Sequence, residues 1–193
     1  MKIAFISDIH GNSSALEAVF SDIKKLNINK IYCLGDFVGY YYEPDRCVDL
    51  LIKHNVECIL GNHEKMFLDL LQKPKLIDQM TKKYGNGIKY AVDKLGQNHI
   101  NFIKNLRENK SFVIDDIKVL MAHGTPWDTN YYVYPNSKEK IFQRLANYNE
   151  NYIFLGHTHI QMIKELNSTI IVNPGSVGQP RDAGNEAKWF ILD

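Results

Sequence analysis

Through the first sixty residues short apolar runs alternate with longer amphipathic stretches, the change of period expected of a βαβαβ chain. Lys2–Ile6 predicts a strand. Ser14-Ala-Leu-Glu17 has the form of a capping box and opens a predicted helix whose Leu16, Val19, Phe20, Ile23 and Leu26 share one face. Ile31–Leu34 predicts a second strand. Pro44 suits the first turn of a second helix carrying Val48, Leu51 and Ile52, and Val56–Leu60 predicts a third strand. Almost wholly apolar strands joined by crossover helices imply three parallel strands covered on both faces.

Glu64 to Arg107 is helical in composition, broken at Pro74 and at Gly85-Asn-Gly87, and reads as a helical layer over the sheet with no polar cluster at ligand spacing. From Ser111 onward strands dominate. Ser111–Ile114, Ile117–Ala122, Tyr152–Leu155, Gln161–Leu166, Thr169–Val172 and Ala187–Leu192 have strand patterns, with turns at Asp115-Asp116 and Asn167-Ser168. Ser137–Asn147 is the one predicted helix among them. With no repeat, low-complexity tract or linker, residues 1–193 read as a single α/β domain of two packed sheets.

Composition narrows the function classes. Lys and Arg number 23 against 22 Asp and Glu, a formal charge of +1, so no global field prepares the chain for a large nucleic-acid surface or an acidic membrane. Its longest apolar runs, such as Val119–Ala122, fall far short of the roughly 20 residues of a membrane span. Met1 leads straight into Ile3-Ala-Phe-Ile6 with no signal-peptide pattern, and the chain reads as soluble and cytoplasmic. Cys33, Cys47 and Cys58 lack C-x-x-C spacing and read as reduced structural residues.

Candidate chemistry lies in the residues just beyond the apolar runs. Ile3–Ile6 leads to Asp8-Ile-His10-Gly-Asn12, Ile31–Leu34 to Gly35-Asp36, and Cys58–Leu60 to Gly61-Asn62-His63-Glu64. Val119–Ala122 leads to His123-Gly124, and Ile153–Leu155 to Gly156-His157-Thr-His159. Ligands bind at the carboxyl ends of strands in α/β sheets, so these five clusters are expected to meet in one crevice. Five of the seven histidines lie in them. One histidine after a strand is usually a satisfied polar residue, but five with two Asp and an Asn form an all-N/O donor set. That set suits Mn²⁺, Fe, Zn²⁺, Co²⁺ or Ni²⁺ better than Mg²⁺ or Ca²⁺. Asp8, His10, Asp36, Asn62, His123, His157 and His159 are more ligands than one tetrahedral ion uses, so two divalent transition-metal ions sharing a bridging carboxylate are expected, Mn²⁺ first. In extended chain, Asp8 and His10, like His157 and His159, share a face as i and i+2.

Asp8-x-His10, Gly35-Asp36, Gly61-Asn62-His63-Glu64, His123-Gly124 and Gly156-His157-x-His159, in this order, resemble the calcineurin-like metallophosphoesterases, particularly their small single-domain bacterial and archaeal phosphodiesterase branch. The resemblance runs from Met1 to about Arg181. It implies a four-layer αββα sandwich of two mixed β-sheets flanked by helices. It gives Asp8, His10 and His159 to one metal and Asn62, His123 and His157 to the other, with Asp36 bridging them. Glu64 stands where this motif usually has Asp. Asn173-Pro-Gly-Ser-Val-Gly-Gln-Pro-Arg181 is similar to the segment that closes the site in this branch.

The activity implied is hydrolysis of a phosphodiester or phosphomonoester by a metal-bridging hydroxide, with His63 as general acid or electrostatic partner. The substrate expected is a small phosphate ester, with nucleotides and dinucleoside polyphosphates among the candidates, contacted by Asn62, Tyr41, Trp127 and Arg181. A rival reading is a non-catalytic protein-interaction scaffold of the retromer-subunit type, against which stands the filled ligand set. The H-x-H-x-D-H run of β-lactamase-like hydrolases is absent, and the chain is short for an amidohydrolase barrel. Tyr40-Tyr-Tyr42 and Trp127 to Tyr134 leave the same strand ends as the ligands. They are candidates either for stacking a nucleobase or for a homodimer interface or packing lid.

Overall fold

The computed structural model describes residues 2–193. The first sheet has the order β3-β2-β1-β9, in which β1 (Ile3–Ile6), β2 (Lys30–Cys33) and β3 (Glu57–Cys58) are parallel and β9 (Phe190–Leu192) runs antiparallel to β1. The second has the order β4-β5-β6-β8-β7, made of β4 (Asn109–Ile114), β5 (Ile117–Ala122), β6 (Tyr152–Phe154), β7 (Gln161–Leu166) and β8 (Thr169–Pro174). In it β5, β6 and β8 are parallel and the outer strands antiparallel.

Strand alternation makes the layers. Ile3 and Phe5 of β1 meet Val119 and Met121 of β5, Phe154 of β6 and Val172 of β8 in a core between the sheets, where the Phe5 and Phe154 rings stack at 3.6 Å. Ala4 and Ile6 point the other way, onto α1 (Ser13–Lys25), α2 (Pro44–Lys53) and the helices of the middle segment. Leu120, Ile153 and Ile171 face α7 (Glu139–Ala146) on the far side. The outcome is the mixed α/β sandwich of two sheets between helical layers that the resemblance implied. The middle segment folds as α3 (Asn62–Gln72), a 3₁₀ turn (Pro74–Leu76), α4 (Ile77–Tyr84), α5 (Gly87–Lys94) and α6 (Gln97–Lys104), broken where Pro74 and Gly85 predicted. None of the described helices is long and apolar enough to cross a membrane.

Several local expectations are corrected. Asn12, not the Ser14 box, caps α1, its side-chain oxygen accepting from Ala15 N at 3.2 Å. Leu26 and Ile52 are 43% and 46% exposed because each lies at the end of its helix, away from the sheet, while Cys47 takes a buried place on α2. The third strand keeps only Glu57–Cys58, since beyond Ile59 the backbone turns to Arg107, whose carbonyl accepts from Leu60 N at 2.8 Å. Ala187–Leu192 shortens to β9 and joins the first sheet, not the second. Cys33 and Cys47 are buried, Cys58 partly so, and all three are free thiols.

Candidate metal centre

Each apolar strand stops where its first polar residues leave the sheet, and those departures meet. Asp8 and His10 follow β1, Asp36 follows β2, Asn62 and His63 begin α3, His123 follows β5, and His157 and His159 follow β6. All eight are buried, none more than 6% exposed. The extended i, i+2 geometry expected for the paired ligands is corrected. Asp8, His10, Asp36, His157 and His159 have φ between 53° and 69°, in the left-handed region. Such a backbone costs an L residue roughly 1–2 kcal/mol and persists only where its surroundings enforce it. Here Asp8 N, His10 N and Gly11 N donate to the carbonyls of Gly35, Asp36 and Phe37 at 3.1, 2.9 and 2.9 Å, lacing the two turns together.

Hydrogen bonds behind the histidines decide which atoms face inward. His10 Nδ1 donates to Val38 O (3.1 Å), His123 Nδ1 to Leu34 O (2.8 Å) and His159 Nδ1 to Gln179 O (2.6 Å). A carbonyl only accepts, so the proton of each neutral ring sits on Nδ1 and Nε2 presents its lone pair to the centre. His10 Nε2 and His159 Nε2 then lie 3.0 Å apart with no proton between them when both rings are neutral. Asp8 Oδ1, fully buried and without a hydrogen-bond partner, is 3.3 Å from His159 Nε2 and 3.8 Å from His10 Nε2. Converging lone pairs around an orphaned carboxylate oxygen repel one another unless a cation sits among them, so the donor set fits divalent metal.

Ligand atoms lie within 4.8 Å of one another in two outer groups, Asp8, His10 and His159, and Asp36, His123 and His157, with His10, Asp36 and His63 a third group that links them. Asp36 Oδ2 stands between them, 3.2 Å from His123 Nε2 and 3.8 Å from His10 Nε2. Asn62 Oδ1 joins the second group at 3.0 Å from His123 Nε2. His157 uses Nε2 to donate to Asn130 O at 3.2 Å, leaving Nδ1 with a lone pair, and its backbone N–H holds Asp8 Oδ2 at 3.0 Å.

The metal-free titration follows the same geometry. Burial raises the Asp8 carboxyl, yet His159 and His123 carry it below the ordinary carboxylate range. Asp36 falls well below that range despite burial, chiefly through His123 and His63. Burial opposes charge on His123, but the Asp36 charge and hydrogen bond lift it to about 9. Burial, joined by His63, pulls His10 well below the imidazole range, and burial with His123 brings His157 down to about 4.

His63 also reaches the centre, its Nε2 3.9 Å from Asp36 Oδ2, while its backbone N–H donates to Asp36 Oδ1 at 2.8 Å. Burial pulls its pKa below the ordinary value, against the Asp36 carboxylate. Gly39 (φ 93°) makes room for the ring, since a Cβ there would stand 2.1 Å from His63 Nδ1. The Glu64 departure is explained as well. Its carboxylate accepts from Asp36 N (2.7 Å), Gly61 N (2.9 Å) and Val38 N (3.0 Å), bracing the turns after β2 and β3 on one group. Burial, with the Asp36 charge, pushes the Glu64 carboxyl up to about 8.

Above this floor opens a cleft of about 360 Å³. Asp36, Asn62, His63, His157, His159 and Arg181 line it, so two of the four expected substrate contacts, Asn62 and Arg181, lie at the cleft. Tyr41 and Trp127 do not, and the expectation that they wall the site is corrected. Tyr41 packs edge-on to Tyr42, and Trp127 stacks near Tyr148 with the Arg144 guanidinium 3.7 Å over its ring. Their neighbours Tyr40 and Tyr132 are the wall residues, joined by Lys83 and Tyr84 from the C-terminal end of α4. Pro74 and the Gly85-Asn-Gly87 break were all that marked α4 in the helical stretch of the sequence, and a helix end by itself carries no functional signal.

The family model of the calcineurin-like phosphoesterase superfamily domain matches residues 1–193. An uncharacterized protein of Methanocaldococcus jannaschii is 34% identical over 211 aligned residues, covering 99% of this chain and 82% of that protein. A metallophosphoesterase from Sphaerobacter thermophilus superposes with a TM-score of 0.79 at 27% identity, over 100% of this chain and 84% of the other. A hypothetical protein from Pyrococcus horikoshii has a TM-score of 0.81 at 20% identity, over 100% of this chain and 87% of its own, a likeness of fold.

Proposed function

We infer that this chain, which belongs to the calcineurin-like phosphoesterase superfamily, is a binuclear-metal hydrolase of small phosphodiesters, with phosphomonoesters as its second substrate type. The observation that carries this is the inward convergence of histidine Nε2 lone pairs on the orphaned Asp8 Oδ1, with Asp36 Oδ2 between two ligand groups. Asp8, His10 and His159 would hold one ion, Asn62, His123 and His157 the other, and Asp36 both. We put Mn²⁺ first, with Fe, Ni²⁺, Zn²⁺ and Co²⁺ also suited to this mixed imidazole and carboxylate set. Bound there, the ions supply Lewis acidity that acidifies water and draws charge from the phosphoryl oxygens.

The chain's own groups do the rest. In the overall hydrolysis the oxygen of one water bonds to phosphorus, the ester P–O bond breaks with its electron pair on the leaving oxygen, and that oxygen takes up a proton. His63 lines the cleft beside Asp36 and is the group that delivers the proton. Because Asn62 Oδ1 is turned to His123, the amide nitrogen is left to donate to a phosphoryl oxygen. Left-handed backbone and Nδ1–H bonds hold the ligand rings before any ion arrives, so little reorganisation accompanies turnover.

The test is metal-depleted protein reloaded with Mn²⁺ and assayed on bis(p-nitrophenyl) phosphate and p-nitrophenyl phosphate, beside elemental analysis. Two ions per chain and metal-dependent hydrolysis are expected. Full activity without metal, or at most one ion at saturation, overturns the binuclear assignment. Two ions without hydrolysis of any ester would favour the scaffold role.

A further inference from the structure

We propose that Lys83 and Arg181 form a second anion subsite at the mouth of the metal cleft, so that this enzyme prefers substrates carrying another phosphate beside the scissile one. The proposal rests on the phosphoesterase reading and adds the substrate class. The two cations come from distant parts of the chain, Lys83 from the end of α4 and Arg181 from the segment after β8, yet they line one cleft. Neither has an ion-pair partner among the described residues, whereas elsewhere Lys65 pairs with Glu108 and Arg46 with Glu17. The sole carboxylate of the lining is Asp36, at the floor and already engaged by histidines. Two unpaired cations over a cleft that must itself take a phosphate leave positive charge that a single phosphate does not answer.

Both cations are positioned. The Arg181 guanidinium donates to Gln179 Oε1 at 3.0 Å and to Tyr40 Oη at 3.4 Å, and lies 5.9 Å from the Tyr40 ring centroid. Lys83 Nζ lies 4.8 Å from the ring centroid of its neighbour Tyr84, which meets His63 edge-on at 5.5 Å. Tyr40 is held in a left-handed backbone (φ 52°), unusual for so bulky a residue, and its ring lies 4.9 Å from His63 and 4.5 Å from His10. The strained turn therefore carries the Arg181 support directly over the metal floor.

The same rings argue against a nucleobase as the second recognised group. Tyr132 already stacks on His157 at 3.9 Å and runs parallel to Tyr134 at 5.7 Å, while the rings of Tyr40 and Tyr84 each carry a cation. A base needs a free aromatic face, and each of these rings already has an aromatic or cationic neighbour within the chain. What they offer to the opening is hydroxyl groups and cations, which suit the oxygens of a phosphate.

A matched pair of p-nitrophenyl phosphodiesters, whose second arm is either ethyl or 2-phosphooxyethyl, tests this in the Mn²⁺-loaded protein. The native chain is expected to prefer the phosphorylated ester in kcat/KM by roughly tenfold or more, and the Lys83→Ala/Arg181→Ala protein to lose most of that preference. Lys83→Arg with Arg181→Lys should restore part of it. No preference in the native protein, or the same preference in the double variant, overturns the subsite. If neither ester is hydrolysed the phosphoesterase reading fails, and the subsite is then decided by calorimetry with inorganic pyrophosphate. Binding roughly tenfold weaker in the double variant supports it, and equal affinity refutes it.

Discussion

At the floor of the cleft eight polar side chains are almost wholly withdrawn from solvent and six of them are tied to backbone carbonyls or amides, whereas at its mouth Lys83, Arg181 and Tyr132 stand exposed, held chiefly by rings and side chains. The contrast separates two tasks. A floor built on strand ends, with left-handed turns laced to one another, is preorganised and tolerates little change. A mouth assembled from a helix end and two loops is where exposed side chains can vary without unseating the metal ligands. On the proposed function, chemistry belongs to the first region and substrate choice to the second.

The sharpest way to break that division is Asp36→Asn. It removes the carboxylate charge between the two ligand groups, and hydrolysis should fall to background with fewer than two ions retained while circular dichroism stays native. Wild-type turnover with both ions bound would show that the bridge is elsewhere. His63→Gln comes next: both ions should remain, with kcat down roughly 10²–10⁴-fold for esters with poor leaving groups and less for aryl esters. An equal loss on both ester types would point to electrostatics and away from proton delivery.

Proton linkage distinguishes the floor further. The folded-state pKa of His123 is raised from 6.5 to about 9, so in the metal-free protein its ion pair with Asp36 stabilises fully below 6.5 and is lost as pH rises through about 9. Metal must displace that proton. Affinity should fall roughly tenfold per pH unit below about 9, and a Mn²⁺ titration in unbuffered solution at neutral pH should release a proton that disappears in the His123→Asn protein. Glu64→Ala should cost about 3 kcal/mol, because three buried N–H groups lose their acceptor, and lower Tm by roughly 6–12 °C. An unchanged melting curve would remove Glu64 as the brace. The smallest effect is expected outside the cleft. Trp127→Ala should lower Tm by roughly 2–6 °C through loss of its contact with Arg144, with KM for phosphate esters unchanged.

Most of the floor was legible in the sequence and most of the mouth was not. His123 could be picked out because Val119–Ala122 is an apolar run that must end in a buried sheet, and the first polar residues after such a run emerge at the carboxyl end. Glu64 was visible only as a departure from a motif, since what it braces comes from turns 26 and 28 residues away in the chain. Three consecutive tyrosines carry no mark of which one faces inward, and the cleft is lined by Tyr40 where the expectation was Tyr41. Tyr40 has a left-handed backbone, and its ring lies against those of His63 and His10.

By itself the amino-acid sequence determined the order of strands and helices, which positions alternate between the two cores, and which polar residues stand at the strand ends. Those properties depend on periodicity and apolar run length over a few residues, which act before the chain is packed. Only the tertiary structure decided that β9 closes the first sheet, that paired ligands at i and i+2 meet through left-handed turns and not through extended chain, and that Lys83 and Arg181 come to share one cleft. These are relations between segments far apart in the chain. The energies that settle them, backbone hydrogen bonds between turns and the burial of one sheet against another, exist only once both partners are in place.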